Sequence, residues 1–431
     1  MSQPPTVSPV NVRSFGARGD GVSDDTAGLQ KALDGLEDGG ALFFPKGQYV
    51  FSQTLRIPSR VRLHGDGKQS AVLLYQGSGH AFVSGERTGG QYGTGSYYLT
   101  LENITIRGTD RGTGLYLTSR YLTINNAEIS HFGVGMDCQA CWTNKFTNVS
   151  FFYNQTAIRG GAYLNANSFV NCIFSSGVTA VTLIQGANIS FVGCQFEAYT
   201  GACFSFNEAK KSAVWNLNIT GCYFENKGRC LEIGPNGSVA QLNLSNNLIT
   251  TGGPGPAILI DNRDGYGKNA GLVENNTFLR DNQGSADPFV HLEGPAYLIF
   301  RGNKGYATPD YRETQLLDGY TQSTHATSVE EDLTGSNRLV CSGTGAFERG
   351  VVIGGIPPLT AEPGLLVYEH GKLKIHHHGA AEYLQAVKSG PSGARPAPAE
   401  CATGMVFFDT TLGRPLWWSG TDWVDAAGEK R

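Results

Sequence analysis

FTNVSF at residues 146–151, FVNCIF at 169–174, FVGCQF at 191–196 and ITGCYF at 219–224 are copies of one pattern. Apolar and polar residues alternate on each side of a central Asn or Gly, which is the period of a half-buried β-strand. Across the central residue the apolar positions lie three residues apart, so the alternation changes phase there. A sharp bend explains this change, because Asn and Gly tolerate left-handed backbone angles.

The pattern continues along the chain with a period of 22 to 29 residues. The central position is held by Asn103, Asn126, Asn148, Asn171, Gly193, Gly221, Asn246, Asn275 and Gly302. A variable period of this length is typical of a β-solenoid, in which each rung buries its apolar side against its neighbours. The sequence therefore predicts an all-β fold, a right-handed parallel β-helix. Stacked central Asn side chains are expected to form an amide ladder.

Composition limits the classes of function. The formal net charge of -4 argues against a broad electrostatic grip on nucleic acid or an anionic membrane. No apolar run is long enough to span a bilayer, and the first ten residues, MSQPPTVSPV, show no secretory signal. Nine cysteines are an odd number and indicate mostly free thiols, formed under reducing conditions. Release by cell lysis, as part of a virus, would fit this combination.

The first 67 residues contain a family signature. VNVRSFGARGDGVSDDTAGLQKAL (10–33) is followed by GGALFFPKGQYVFSQTLRIPSRVRLHGDG (39–67). Together they resemble the N-terminal signature of pectate-lyase-like β-helix proteins, a superfamily that includes polygalacturonases, polysaccharide lyases and phage tailspike depolymerases. Within the signature, Ser23, Asp24 and Asp25 precede an amphipathic segment, which predicts a short capping helix.

The repeat stops after Gly305, and a different composition follows. Residues 404–428 are similar to small modules that end many phage tail fibre and tailspike proteins. They contain Trp417, Trp418 and Trp423, for which packing is favoured over contact with a sugar. The predicted organisation is a cap with the first turns (1–98), the main β-helix (99–305), a connecting segment (306–345) and a C-terminal β module (346–431). The resemblance implies a homotrimer, with the last module serving trimerisation or target contact.

Two glutamates are the candidate catalytic residues. Glu197 and Glu225 both lie four residues after the bend, immediately outside an inward Phe. Stacking of adjacent rungs, about 4.8 Å apart, would place the two carboxylates side by side. Such a pair suits an acid and a nucleophile acting on a glycosidic bond, and the short separation favours retention. The alternative is a solvated outer face on which Lys227 or Arg229 screens the two charges.

Further residues are candidates for substrate binding. Tyr199 and Tyr153 are expected to project outward and stack on sugar rings, or merely to cover the solenoid. Asp137 and Arg159 fall on corresponding outward positions of adjacent rungs, where they form a surface ion pair or help to bind an acidic sugar. The reserve candidates are Glu232 and Asp261, also expected to face outward on the next strand, and Asp264.

No metal or other cofactor is predicted. Cys172, Cys194 and Cys222 share an inward position and predict a buried thiol stack. The single CxxC motif at 138–141 is weak evidence for zinc or redox chemistry. The histidines at 376–378 are expected on a solvated strand, with a metal ring on a threefold axis as the alternative.

These observations predict a phage or prophage tailspike in the virion tail, associated with other tail proteins. It would bind and depolymerise a bacterial surface polysaccharide, either capsule or lipopolysaccharide. Hydrolysis is favoured over β-elimination, because no Lys, Arg or Tyr base stands out in register. The alternatives are a polysaccharide lyase and a non-catalytic receptor-binding or structural tail protein. The NTD, DD, HG and RIK motifs of polygalacturonases are absent from matching rungs, as are WxDH of calcium pectate lyases and YGFDPH of alginate epimerases.

Overall fold

The computed structural model describes most of the N-terminal unit and parts of the C-terminal one. The described residues are 9–36, 39–84, 96–161, 163–207, 212–261, 269–280, 287–293, 296–307, 312–313, 317–318, 328–330, 365–369, 372–377, 380–384, 388–401, 405–425 and 430. The chain divides into two compact units, residues 1–343 and 344–431. The predicted boundaries within these units stay predictions, and the connecting segment lies largely outside the described residues.

The first unit is a parallel β-helix, as predicted, in which each rung contributes strands to three faces named here A, B and C. Face A consists of Val10–Asn11, Gly40–Phe44, Val61–Gly65, Thr100–Glu102, Thr123–Asn125, Lys145–Thr147, Leu164–Val170, Gln185–Val192, Ser212–Thr220, Leu242–Ser245, Asn269–Glu274, Ala296–Arg301 and Ser328–Glu330. Two short strands add to this sheet. Ser96–Tyr97 pairs with the end of Thr113–Arg120, and Gly237–Val239 pairs with the start of Ser212–Thr220.

Face B follows face A in each rung. It consists of Asp20–Asp24, Gly47–Phe51, Ala71–Tyr75, Thr105–Arg107, Glu128–Ser130, Ser150–Phe152, Ile173–Gly177, Gln195–Tyr199, Tyr223–Asn226, Leu248–Thr251, Thr277–Arg280 and Lys304–Ala307, with Arg312–Glu313 added antiparallel at the end. Face C consists of Leu55–Ile57, His80–Ser84, Thr113–Arg120, Val134–Trp142, Thr156–Gly160, Thr179–Leu183, Phe204–Phe206, Leu231–Ile233, Ile258–Asp261, Val290–Glu293 and Leu317–Asp318.

The corner between faces A and B confirms the predicted bend. All nine central Asn and Gly residues adopt left-handed backbone angles, with φ between 48° and 63°. The amide of Asn126 donates to Asn103 at 2.8 Å, as a ladder requires. A longer amide ladder lies one residue further on and points into the core, at Asn247, Asn276 and Asn303.

The position one residue after each central Asn or Gly forms an inward column of stacked side chains. The residue type in this column changes along the solenoid. The column holds the buried thiols of Cys172, Cys194 and Cys222, as predicted, and then continues as the amide ladder. Beside it run stacked phenylalanines, among them Phe174, Phe196 and Phe224, whose rings are 4.7 to 4.8 Å apart. Each rung thus repeats the side chain of its neighbour, and the core is a set of parallel stacks.

The N-terminal end is closed by a 3-10 turn, Val12–Phe15, and by the predicted helix, Thr26–Asp34. Leu29, Ala32 and Leu33 of the helix join the same apolar core as the rungs. The carboxylate of Asp25 does not cap the helix; it accepts hydrogen bonds from the backbone of residues 18 and 19 instead. In the described residues, no helix has the length and apolar character needed to cross a membrane.

The second unit is β-rich, as predicted. One antiparallel sheet comprises Leu365–Glu369, Lys372–His377 and Ala380–Leu384, and another sheet comprises Lys388–Gly390, Val406–Asp409, Arg414–Trp418 and Trp423–Val424. Two 3-10 turns, Ser392–Ala394 and Pro398–Glu400, lie between strands of the second sheet. Trp418 and Trp423 pack edge to face in its core, which confirms packing as their role.

Candidate functional site

Glu197 and Glu225 are direct neighbours on face B, as the repeat predicts. The two residues pair in register on adjacent parallel strands. Beneath them, Phe196 and Phe224 stack at 4.8 Å and are fully buried, so the glutamates lie on the outer side of the strands. Glu197 is half-buried and Glu225 is exposed. Strand spacing therefore separates the two glutamates by about 4.8 Å along the solenoid axis.

Tyr223 is a third member of this group that the repeat did not single out. Its hydroxyl donates to Glu225 Oε2 at 2.5 Å. This hydrogen bond, with burial and the charges of Glu225 and Glu197, raises the pKa of Tyr223 to about 12. The signal in the sequence was the strand alternation itself, because residues two apart on one strand share a face. Arg229 forms an ion pair with Glu232 at 3.6 Å.

A short segment between faces A and B limits the open part of face B. This strap, residues 66–70, contacts three following rungs. The backbone nitrogen of Gln69 donates to Thr105 Oγ1 at 2.9 Å in the first of them, and Lys68 Nζ donates to Ser150 Oγ at 3.1 Å in the third. Between these contacts the Gln69 side chain donates to Glu128, which is buried. The strap contacts therefore end at the rung of Ser150, and the glutamate pair lies beyond them on face B.

On face C, Asp137 and Arg159 pair in register and form the predicted ion pair. Arg159 Nε donates to Asp137 Oδ2 at 3.1 Å, and Gln139 Nε2 donates to Asp137 Oδ1 at 2.5 Å. The expectation of a surface pair is wrong in one respect: the Asp137 side chain is only 2% exposed, whereas that of Arg159 is 45% exposed. The hydrogen-bond partners of Asp137 are Gln139 of the same strand and Arg159 of the next rung, and strand alternation alone does not predict that burial.

Two aromatic residues lie beside this ion pair. The rings of His80 and Tyr116 are 4.5 Å apart, and His80 Nδ1 is buried with no hydrogen-bond partner. Burial lowers the pKa of His80, and the charge of Asp137 offsets this in part. The neutral imidazole is thus favoured near pH 7. His80 was missed because its rung precedes Asn103, the first position of the repeat alignment.

The two tyrosines expected to stack on sugars behave differently. Tyr199 is 1% exposed, so the expectation that it projects outward is wrong. The preceding residue, Ala198, has a left-handed φ of 58°, which reverses the alternation and turns Tyr199 inward. Tyr153 is 58% exposed and stacks on His131 at 4.9 Å, while His131 Nδ1 lies 2.8 Å from Asp110 Oδ1.

The reserve acidic residues are not grouped with the glutamate pair. Glu232 lies on face C and accepts a hydrogen bond from Asn207 at 3.1 Å. Asp261 ends a face C strand on the side opposite to the buried Ile258 and Ile260, as expected, yet it is only 7% exposed. Asp264 lies outside the described residues.

The remaining candidates concern metal binding. Cys138 and Cys141 are buried free thiols. His376 and His377 lie on the strand Lys372–His377, and His378 is outside the described residues. Over the part of the chain that the structure describes, no three His, Cys, Asp or Glu side chains are grouped to hold a metal ion.

With this geometry established, comparison with known proteins places the chain in a family. Residues 9–223 match the family model described as rhamnogalacturonase A/epimerase, pectate lyase-like. Over these residues the chain belongs to the pectate lyase-like family. Among solved structures, the A-module of mannuronan C-5 epimerase AlgE4 from Azotobacter vinelandii is similar, with a TM-score of 0.56 and 18% identity over 76% of this chain and 100% of that module. ORF18 of Geobacillus virus E2 has a TM-score of 0.51 and 15% identity over 98% of this chain and 85% of that chain.

Sequence relatives of this pectate lyase-like protein include phage proteins. The preneck appendage protein of Bacillus phage PZA is 32% identical over 108 residues, which are 24% of this chain and 12% of the relative. The chain therefore matches only a small part of that relative's length. The structural likenesses, at 15–18% identity, establish the fold.

Proposed function

We propose that this protein is a phage tail depolymerase, which binds and cleaves a bacterial surface polysaccharide. The adjacent pair Glu197–Glu225, open to solvent on face B, is the observation that carries the proposal. The preneck appendage relatives support a place on the virion with other tail proteins. The substrate class is supported by the family, rhamnogalacturonase A/epimerase, and by the similar mannuronan C-5 epimerase module, since both names denote enzymes that act on polysaccharides.

The pair suits glycosidic hydrolysis with retention. Retaining glycosidases hold two carboxyl groups about 5–5.5 Å apart, close to the spacing of adjacent strands. Glu225 would act as the nucleophile, because the hydroxyl of Tyr223 orients its carboxylate. Glu197, which is half-buried, would donate the proton to the leaving oxygen and later activate water. Tyr153, on an edge of face B two rungs away from Glu197, would stack on a sugar ring.

The test is depolymerisation of a panel of capsular polysaccharides and lipopolysaccharides, followed by size-exclusion chromatography. Glu197→Gln and Glu225→Gln should each slow cleavage by about a hundredfold or more, because each removes a catalytic group. Glu274→Gln is the matched control, since Glu274 lies on face A, where it pairs with Arg301 at 2.7 Å. If both glutamine variants cleave the same glycan as fast as the unaltered protein, the assignment fails.

A second candidate function is β-elimination on face C. The observation in its favour is the half-exposed guanidinium of Arg159 beside the buried, unpartnered Nδ1 of His80. Arg159 would neutralise a uronate carboxylate, and His80 or Tyr116 would take the proton from C5, the carbon that bears the carboxylate. The C4–C5 double bond would then form as the C4–O glycosidic bond breaks, and the leaving oxygen would take a proton from solvent. Elimination yields unsaturated uronates, which absorb in the ultraviolet. Such products, abolished by Arg159→Gln and His80→Gln but kept in Glu225→Gln, would favour the lyase over the hydrolase.

The quaternary state belongs to the same proposal. A tailspike of this kind is expected to be a homotrimer, which sedimentation would report as three times 46.1 kDa. Glycan binding with no change in polymer size during long incubation would identify a non-catalytic receptor-binding protein.

A further inference from the structure

The corner between faces C and A departs from the residue choice of the corner between faces A and B. Six residues there have φ between 53° and 59°: Tyr98, Tyr121, Thr143, Ala166, Asn188 and Asn216. Asn and Gly adopt such angles most readily, and they fill all nine positions of the corner between faces A and B. Large aromatic residues in a left-handed conformation are unfavourable, so Tyr98 and Tyr121 call for a reason beyond backbone geometry.

Burial does not supply that reason. Tyr98 is 60% exposed and Tyr121 is 48% exposed. Their rings are stacked 5.0 Å apart at 10°, on backbones held in register by hydrogen bonds of 3.1 Å to Arg120 and Trp142 of the next rungs. The two parallel rings cover each other's facing sides and leave their outer faces and edges as an apolar platform open to solvent.

The residue next to Tyr121 in sequence supplies a cation at the same corner. Arg120 precedes Tyr121 and pairs in register with Tyr97 on one side and Trp142 on the other. Its guanidinium carbon lies 4.7 Å from the ring of Trp142 and 5.9 Å from that of Tyr97. Among the described residues, no carboxylate forms an ion pair with Arg120. Its charge is therefore not compensated by an acidic neighbour in that part of the chain.

We propose that Tyr98, Tyr121 and Arg120 form a second glycan-binding site, specific for an acidic polysaccharide. The proposal rests on the polysaccharide function given above. The rings would stack on the apolar faces of sugars, and the guanidinium would bind a uronate or other acidic substituent. This corner joins faces C and A, whereas Glu197 and Glu225 lie on face B. The site would therefore hold the polymer without cleaving it, and a polymer long enough to reach both sites would gain avidity.

The chemistry favours a glycan over a second copy of the chain. An apolar platform near a cation that has no acidic partner among the described residues is complementary to a ligand with an apolar face and a negative charge. An acidic sugar has both, and its length can follow the stacked rungs. A contact between copies remains one outcome of the experiment.

The decisive variant is Tyr98→Asn with Tyr121→Asn, tested in the Glu197→Gln background so that the polymer stays intact. Asn is the residue that the same corner uses at 188 and 216, so thermal stability should be equal or higher. Affinity for the acidic polysaccharides of the panel, by surface plasmon resonance, should fall about tenfold. Thr143→Asn, at the same corner one rung further on, is the control and should leave affinity unchanged. Arg120→Gln should weaken binding of acidic glycans while leaving that of neutral glycans unchanged.

Three results would overturn the proposal. They are unchanged affinity in the double variant, failure of the parent Glu197→Gln protein to bind any acidic glycan of the panel, and a shift from oligomer to monomer in sedimentation of the double variant. The last result would identify the corner as an interface between copies. The catalytic proposal is judged separately, by the loss of cleavage in Glu225→Gln, so either proposal can fail alone.

Discussion

Replacement of Asn276 by Ala tests whether the inward amide ladder stabilises the solenoid. Asn276 is 1% exposed, and both the oxygen and the nitrogen of its side-chain amide form hydrogen bonds. Its Oδ1 accepts from the backbone nitrogen of Asn247 at 3.0 Å and from the side chain of Asn247 at 2.9 Å. Its Nδ2 donates to Asn303 Oδ1 and to the carbonyl of Leu244, both at 2.9 Å. Alanine removes all four hydrogen bonds without providing another partner.

The size of the effect follows from these contacts. A typical intramolecular hydrogen bond contributes about 1 kcal/mol net, and a buried polar group left without a partner costs about 1–3 kcal/mol. Four lost bonds should therefore lower the free energy of unfolding by about 4 kcal/mol. The neighbouring Asn275→Gly is the matched control, because Asn275 is exposed and has a φ of 53° that glycine adopts freely. Its effect should stay below about 1 kcal/mol.

Two measurements check this expectation. Urea unfolding followed by circular dichroism gives the free energy of each variant. Hydrogen exchange gives a local reading, since the amide of Asn247 loses its acceptor in Asn276→Ala and should exchange faster. A change of less than about 1 kcal/mol in Asn276→Ala, or an equal loss in Asn275→Gly, would refute the stabilising role of the ladder.

Three further predictions concern other parts of the molecule. Glu225→Gln should lower the pKa of Tyr223 from about 12 toward the ordinary 10.0, measured by phenolate absorbance as the difference from the Tyr223→Phe protein; an unchanged midpoint would argue against the hydrogen bond as the cause. In the second unit, burial would raise the pKa of Asp409, yet hydrogen bonds hold it at about 2, below the ordinary 3.8. The stability that Asp409 contributes is therefore present above pH 3.8 and lost as the pH falls toward 2, so tryptophan fluorescence should change in that range, and less in Asp409→Asn. Phe196→Ala should destabilise the β-helix by about 3–5 kcal/mol in thermal unfolding, because Phe196 is fully buried in a ring stack, and a loss below about 1 kcal/mol would contradict that packing.

The backbone of the β-helix could be predicted because its cause is local. The left-handed bend depends on the residue that occupies it, and Asn or Gly at a fixed offset marks each one. The adjacency of Glu197 and Glu225 could be predicted in the same way. Both residues lie the same number of positions after a bend, and this places them at the same position on adjacent stacked strands. Both results needed only the period and the alternation.

The second bend of each rung was harder to recognise. It lies at the corner between faces B and C. The left-handed positions there include His131, Tyr153, Ser176 and Ala198, which share no residue type. Sequence therefore gave no signal for the change of phase that buries Tyr199. A bend enforced by stacking on neighbouring rungs, rather than by the residue itself, cannot be predicted from one rung alone.

Burial of outward residues was also beyond the sequence. Asp137 alternates outward correctly, yet side chains from other positions cover it. The strap that buries Glu128 acts over even longer range, because it joins residues 59 positions apart. The burial of an outward side chain thus depends on contacts that the repeat period of the sequence does not describe. For these residues, strand alternation predicts on which side of the sheet a side chain lies, but not how far that side chain is exposed to solvent.

The uniform stacking of the rungs allows the molecule to change its reach in whole steps. Each rung contacts mainly the rungs before and after it, so a tandem duplication of residues 148–170 could be accommodated as one extra storey. The aromatic corner and the glutamate pair would then move apart by about 4.8 Å, with the internal geometry of each unchanged. A single genetic event of this kind would lengthen the distance between the two proposed sites, and no side chain of either site would need to be rebuilt.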